Sequence, residues 1–304
     1  MQVKKVAHFE GHRASVYALE QGAAPHIIYT AGADHLILEW DLQDHGKSLV
    51  LMNMPERIFA LKLLSKQNIL LAGNYTGGIH VIDLNKGEEV KFLQHHQQII
   101  FEIEILPNKE AFIALSADGA FSVWSTKDFS LLETKSLGHF KLRSIDFHPH
   151  REEMVIGCED GFIRVIDLTD FREINKLDGH LKDFSVNALK YLKDGRQLLS
   201  GSRDANLVLW DAENDYAFRK GFQFHKYAIY GIALSPDGRY LASASRDKSV
   251  KIWDAATLDL LYTIAQPEEE GHTKSVNKII WSDYKSLLIS TGDDRSVKAW
   301  EIIG

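Results

Sequence analysis

The chain is nearly devoid of cysteine: Cys158 is the only one among 304 residues, so no intrachain disulfide forms and no cysteine-based zinc site is available. That usage fits a reducing compartment. Long apolar runs are missing as well. The opening "MQVKKVAHFEGH" lacks the apolar segment of a signal peptide, and no window approaches the roughly 18 apolar residues of a membrane helix. A cytoplasmic protein with no membrane insertion is therefore expected. Basic charge is scarce, with 35 Lys and Arg against 42 Asp and Glu and a formal net charge of -7. This argues against nucleic acid as a partner, because backbone binding is driven by clustered Lys and Arg. No G-x-S-x-G elbow, P-loop or H-E-x-x-H occurs, so no catalytic residue, metal or cofactor is expected. What remains, 45% hydrophobic and 25% charged residues, is the make-up of a globular protein with ample core.

The chain is repetitive. In "LASASRDKSVKIWDA", Asp247 stands six residues ahead of Trp253, and the Trp253 position recurs at Trp40, Ile82, Trp124, Ile166, Trp210 and Trp300, in steps of 42 to 47 residues. A second anchor, the aliphatic residue that opens "VYALE", recurs at Val16, Ile58, Ile100, Leu142, Val186, Ile229 and Val276. From this anchor to the next Trp or Ile anchor the distance is 24 in every repeat. All length variation falls in the complementary segment. Each constant block reads as three short strands, as in "IYGIAL", the turn "SPDG", "RYLASAS", the turn "RDKS" and "VKIWD". The variable segment supplies a fourth strand and a loop.

Four strands per unit at this period match a propeller blade. The expected fold is an all-β, seven-bladed β-propeller with four antiparallel strands per blade, one domain over residues 1–304. The seventh block stops after its third strand, at "VKAWEIIG", while "QVKKVAHF" at the start is unassigned. Residues 2–9 are therefore expected to complete the last blade and close the ring, removing its open edges.

The sequence resembles the WD-repeat family over essentially the whole chain. It carries Gly-His at Gly11-His12, Gly138-His139, Gly179-His180 and Gly271-His272, with His96 and His225 in the same slot. The turn acids are Asp34, Asp118, Asp160, Asp204, Asp247 and Asp294. The resemblance implies structural tetrads of loop His, second-strand Ser or Thr, turn Asp and third-strand Trp. Full sets would be His12, Thr30, Asp34 and Trp40; His180, Ser200, Asp204 and Trp210; His225, Ser243, Asp247 and Trp253; and His272, Ser290, Asp294 and Trp300. A buried carboxylate needs donors, and these partners supply them. Blade 2 has Met54, Ala72, Thr76 and Ile82 in the slots, blade 3 has Ala114 in place of the hydroxyl, and blade 4 has Ile156 and Ile166.

The resemblance also implies that two residues per blade lie near the channel mouth on the loop-rich face. One set is Tyr17, Phe59, Phe101, Arg143, Asn187, Tyr230 and Asn277; the other is Ala33, Tyr75, Ala117, Glu159, Arg203, Arg246 and Asp293. Tyr, Trp and Arg dominate binding hot spots. The leading reading is a non-catalytic scaffold, a monomeric propeller within a larger assembly, binding a protein or peptide through Tyr17, Phe59, Tyr75, Phe101, Arg143, Asn187, Arg203, Tyr230, Arg246 and Asn277. The alternative is a small-molecule or metal-dependent enzyme using the central channel. His148 and His150, flanking Pro149 near Glu152, read as a solvated turn, and Cys158 as a small core residue. The acidic "PEEEG" loop either rims a site for basic partners or is simply solvated.

Overall fold

The second strands of the repeats, such as "ILLAGN" and "AFIALS", read as unbroken apolar and small runs, as strands covered on both faces do. In the computed structural model of the chain, which describes residues 1–44, 48–268 and 270–303, Ile69–Asn74 and Ala111–Ser116 are buried along their whole length. The fourth strands are polar and outermost; Glu88–Gln94 buries only Leu93. Among the described residues, twenty-eight strands form seven four-stranded antiparallel sheets. Each sheet takes consecutive strands except one. There Gln2–Glu10 pairs antiparallel with Ser296–Ile303, with Gln2 opposite Ile303 and Glu10 opposite Ser296. The N-terminal strand thus closes the seven-bladed ring.

The core is a series of seams between blades. The cluster containing Phe9, Ile289 and Val297 of blade 7 also contains Leu19, Ile28 and Trp40 of blade 1. Val250 and Ile252 of blade 6 likewise pack with Ile279, Leu288 and Trp300 of blade 7. Neither face of any sheet is buried until both neighbours are in place.

One irregularity recurs in every blade. Immediately after the aliphatic anchor the innermost strand slips by one residue against its neighbour: between Val16 and Ala18, Ile58 and Ala60, Ile100 and Glu102, and at the equivalent places in the other four. The residue left without a cross-strand partner is Tyr17, Phe59, Phe101, Arg143, Asn187, Tyr230 or Asn277. A β-bulge re-aims the side chain it releases. Seven bulges around the ring therefore gather seven side chains at one end of the channel.

Candidate functional site: the mouth of the channel

Each mouth position rests on local geometry that the sequence repeats. The residue ahead of each turn acid, or ahead of Thr76 in blade 2, donates its backbone N–H to the carbonyl of the residue ahead of the aliphatic anchor, at 2.8–2.9 Å in all seven blades. This bond ties the turn between the second and third strands to the incoming loop and sets Tyr75, Arg203 and Arg246 at the rim.

The bulged residues line a cavity of about 300 Å³ with Glu102, Lys278 and Asp293. Its aromatic wall is continuous. Tyr17 stacks on Phe59 with ring centroids 4.6 Å apart, and Phe59 meets Phe101 edge-on at 6.2 Å and Tyr75 at 6.2 Å. The Arg143 guanidinium lies 3.9 Å over the Phe101 ring, and its Nε donates to Asn187 Oδ1 at 3.2 Å. Burial lowers the Arg143 pKa from its usual value, although a guanidinium stays charged regardless. The asparagines are tied into the ring. Asn187 Nδ2 donates to Ile229 O at 3.2 Å in the next blade, and Asn277 Nδ2 donates to Val16 O at 2.9 Å and to Asp293 at 2.8 Å. Arg203 and Arg246 are exposed.

The floor of this cavity is an ion pair. Lys278 on the inner strand of blade 7 reaches across to Glu102 of blade 3, with both carboxylate oxygens within 2.8 Å. Beyond it a second cavity of about 280 Å³ holds another layer of charge. There Lys62 lies 2.8 Å from Glu104 and 3.6 Å from Glu20, and Lys190 lies 2.9 Å from Asp146. Burial pushes Glu20 up to about 7, and the nearby Lys62 opposes the shift. Lysine separates the carboxylates, and among the described residues no group of three His, Cys, Asp or Glu is placed to hold a metal.

The polar clusters under the face are internal ties. In blades 1, 5 and 6 the indole N–H donates to the Ser or Thr oxygen at 2.7–3.0 Å, and His Nε2 meets the same oxygen at 2.7–2.8 Å. His Nδ1 meets Asp34, Asp204 or Asp247 at 2.9–3.1 Å. A neutral imidazole protonated at Nδ1 satisfies every member. Blade 7 departs from the expected set. His272 bridges Ser290 at 2.7 Å and Asp294 at 2.9 Å, but the buried Trp300 Nε1 has no acceptor among the described residues. Its ring is positioned by apolar packing in the seam between blades 6 and 7. Burial lowers the His272 pKa, favouring the neutral ring, while His272 in turn holds Asp294 well below the usual carboxylate range against the opposing effect of burial.

The remaining blades use substitutes that column-by-column reading missed. In blade 3, Ser122 accepts from Trp124 Nε1 at 2.7 Å and meets His96 Nε2 at 2.8 Å. In blade 4, Asp160 is held by Arg164 at 2.7 Å rather than by His139, which is exposed; the guanidinium lies 4.0 Å over Phe140. In blade 2, Asn74 caps the turn by accepting from Gly78 N at 2.8 Å, and its amide meets His80 at 3.1 Å. Ser122, Arg164 and His80 share one position, two residues ahead of the Trp or Ile anchor.

Other candidates resolve plainly. His148 Nδ1 accepts the backbone N–H of His150 and Arg151 at 3.0–3.1 Å, so it caps its turn. Cys158 is buried and its thiol is pushed up to about 12 by that burial, leaving no thiolate for chemistry. In the acidic loop, Glu270 pairs with Lys5 and its carbonyl accepts from Lys298; Glu269 lies outside the described residues. The sequence reading missed three exposed apolar side chains on the loop-rich face: Leu181 (57% exposed) and Phe184 in blade 5, and Tyr227 (60% exposed) in blade 6. The signal was present, since "HLKDFS" and "HKYAIY" carry apolar residues just after the loop histidine, where blade 1 has "HRAS".

A closed seven-bladed ring with histidine–aspartate ties under an aromatic, arginine-bearing mouth defines a class of repeat propeller, and comparison with known proteins gives the same class. The model described as "WD domain, G-beta repeat" matches residues 131–167, 171–211, 218–254 and 262–301, about half the chain. The chain belongs to this WD40 repeat family. An uncharacterised WD repeat-containing protein of Schizosaccharomyces pombe is 22% identical over 96% of the chain and 47% of its own length. The WD repeat-containing protein SL1-17 of Schistosoma mansoni is 24% identical over 56% of each. The chain thus spans about half the length of these relatives. The WD40 β-propeller domain of Doa1 superposes with a TM-score of 0.87 over 100% of this chain and 98% of that one, at 18% identity, which is likeness of fold. No helix among the described residues is long and apolar enough to cross a membrane.

Proposed function

We propose that this chain is a non-catalytic scaffold that binds a protein or peptide segment on its loop-rich face, centred on the channel mouth. WD40 propellers generally bind proteins, and nothing in the relatives points to enzymatic activity. The observation that carries the reading is the continuous ring wall from Tyr17 through Phe59 to Phe101 and Arg143, open to a cavity of about 300 Å³. Rigid aromatics and an arginine in a concave, partly desolvated setting are the ingredients of a binding hot spot. The channel charges, by contrast, are paired with one another, as Lys278 is with Glu102 and Lys190 with Asp146.

The test is affinity capture from native cell extract with mass spectrometry, comparing the wild type with a folded Phe59→Ala, Phe101→Ala, Tyr230→Ala variant. Partners retained by the wild type and lost by the variant are expected. Identical partner sets would move the site away from the mouth.

A further inference from the structure

The chain carries a net charge of -7, yet the arginines without a carboxylate partner gather on one face. Among the described residues, Arg13, Arg57, Arg143, Arg203, Arg246 and Arg295 have no carboxylate within salt-bridge distance, and all six lie on the loop-rich face. Every other arginine is paired, on the opposite side or within a blade, as Arg151 is with Glu153, Arg164 with Asp160 and Arg239 with Asp237. The carboxylates of the loop-rich face are mostly committed. Asp204, Asp247 and Asp294 hold histidines, Glu159 holds Lys141 and Glu102 holds Lys278. Asp293, across the cavity from Arg143, accepts the Asn277 amide.

Arg143 is the focus. Its ring contact and its single Nε hydrogen bond leave the terminal nitrogens without an acceptor among the described residues. A guanidinium fork held against an aromatic face is preorganised for a carboxylate. The next two blades add Arg203, 5.8 Å over Phe184, and Arg246, both exposed and unpaired, beside the exposed Leu181 and Tyr227. An arc of arginines interleaved with apolar side chains suits a peptide that alternates acid and apolar residues. A nucleic-acid track calls instead for stripes of Lys and Arg along a backbone.

Building on the scaffold reading above, we propose that the mouth takes an acidic side chain of a peptide partner. Its carboxylate pairs with Arg143, and its flanking apolar residues lie on the Tyr17–Phe59 stack and against Leu181, Phe184 and Tyr227. An acidic side chain at the mouth differs from the basic partner that the "PEEEG" loop left open beside simple solvation; Glu270 of that loop is paired with Lys5.

The test pans a random peptide display library on the full chain. Enriched peptides are expected to carry Asp or Glu beside an apolar residue. Synthetic copies should lose about tenfold or more in affinity when that acid is made an amide or when Arg143→Met is used, as for a hot-spot pair. Because Arg143 also touches the blade seam through Asn187, the surface variant Arg203→Gln, Arg246→Gln provides a second measure, expected to slow association and flatten its salt dependence. Basic or uncharged enriched peptides, or affinities indifferent to the arginines while sensitive to Phe59→Ala, would overturn the acidic assignment and leave the mouth reading standing. Failure to enrich above the bare support, or indifference to both the arginines and Phe59, would overturn the mouth reading itself. An oligonucleotide that bound more tightly than any peptide, with the same Arg143 dependence, would reassign the face to nucleic acid.

Discussion

In blade 3 the hydroxyl that joins histidine to tryptophan comes from Ser122 on the third strand, directly across from Ala114 on the second. Cross-strand partners place their side chains about 5 Å apart on the same face, so a hydroxyl serves from either strand. The sequence pattern looks down one column and sees only the loss at Ala114. The compensating column, two residues ahead of the Trp anchor, becomes meaningful once the pairing is known. His139 illustrates the converse: it occupies the right slot but is exposed, because Arg164 and Phe140 take its place around Asp160. Trp300 offers a direct test of what one hydrogen bond contributes. Trp253→Phe removes an indole that donates to Ser243 at 3.0 Å, whereas Trp300→Phe removes one with no acceptor among the described residues. Both substitutions lose similar buried ring area, so Trp253→Phe is expected to cost about 1 kcal/mol more by chemical denaturation. Equal losses would mean that the blade 6 bond adds nothing.

Strand order, blade count and closure were all legible, because a period and a missing fourth strand are properties of the sequence. The bulge that aims each mouth residue was not. It occurs in every blade, so it leaves the 24-residue interval constant and produces no visible insertion. Tyr17 and its equivalents were placed at the mouth by family resemblance alone; the register slip supplies the physical reason. The loops of blades 5 and 6 were passed over because a repeat-based reading looks for what recurs, and Leu181, Phe184 and Tyr227 do not. The closing strand makes its own prediction. Removing residues 2–9 withdraws Ala7 and Phe9 from the seam with blade 1 and exposes Ser296–Ile303 as an open edge. Such edges recruit other strands. The truncated chain is expected to melt earlier and to self-associate on size-exclusion chromatography; a monomer with an unchanged melting temperature would show that closure contributes nothing.

At the scale of the ring, stability is distributed over seams of similar kind, and the channel is held by paired charges rather than by apolar filling. Lys278 and Glu102 span the ring from blade 7 to blade 3. Breaking one member of such a pair strands the other, while replacing both is tolerated. Lys278→Met is expected to cost about 1–3 kcal/mol, moderated because channel water reaches both groups. Adding Glu102→Leu should recover most of that loss, as read by denaturant titration. A double variant no better than the single one would mean that the cost came from lost packing of the lysine stem.

The same crossbar gives the propeller a threshold. Anything entering from the loop-rich face meets Lys278 and Glu102 below the aromatic wall, and the same pair lines the chamber beyond. On the scaffold reading proposed above, a segment docking at the mouth is met by this crossbar, so recognition there falls to what it lowers into the vestibule, a side chain or a tight turn.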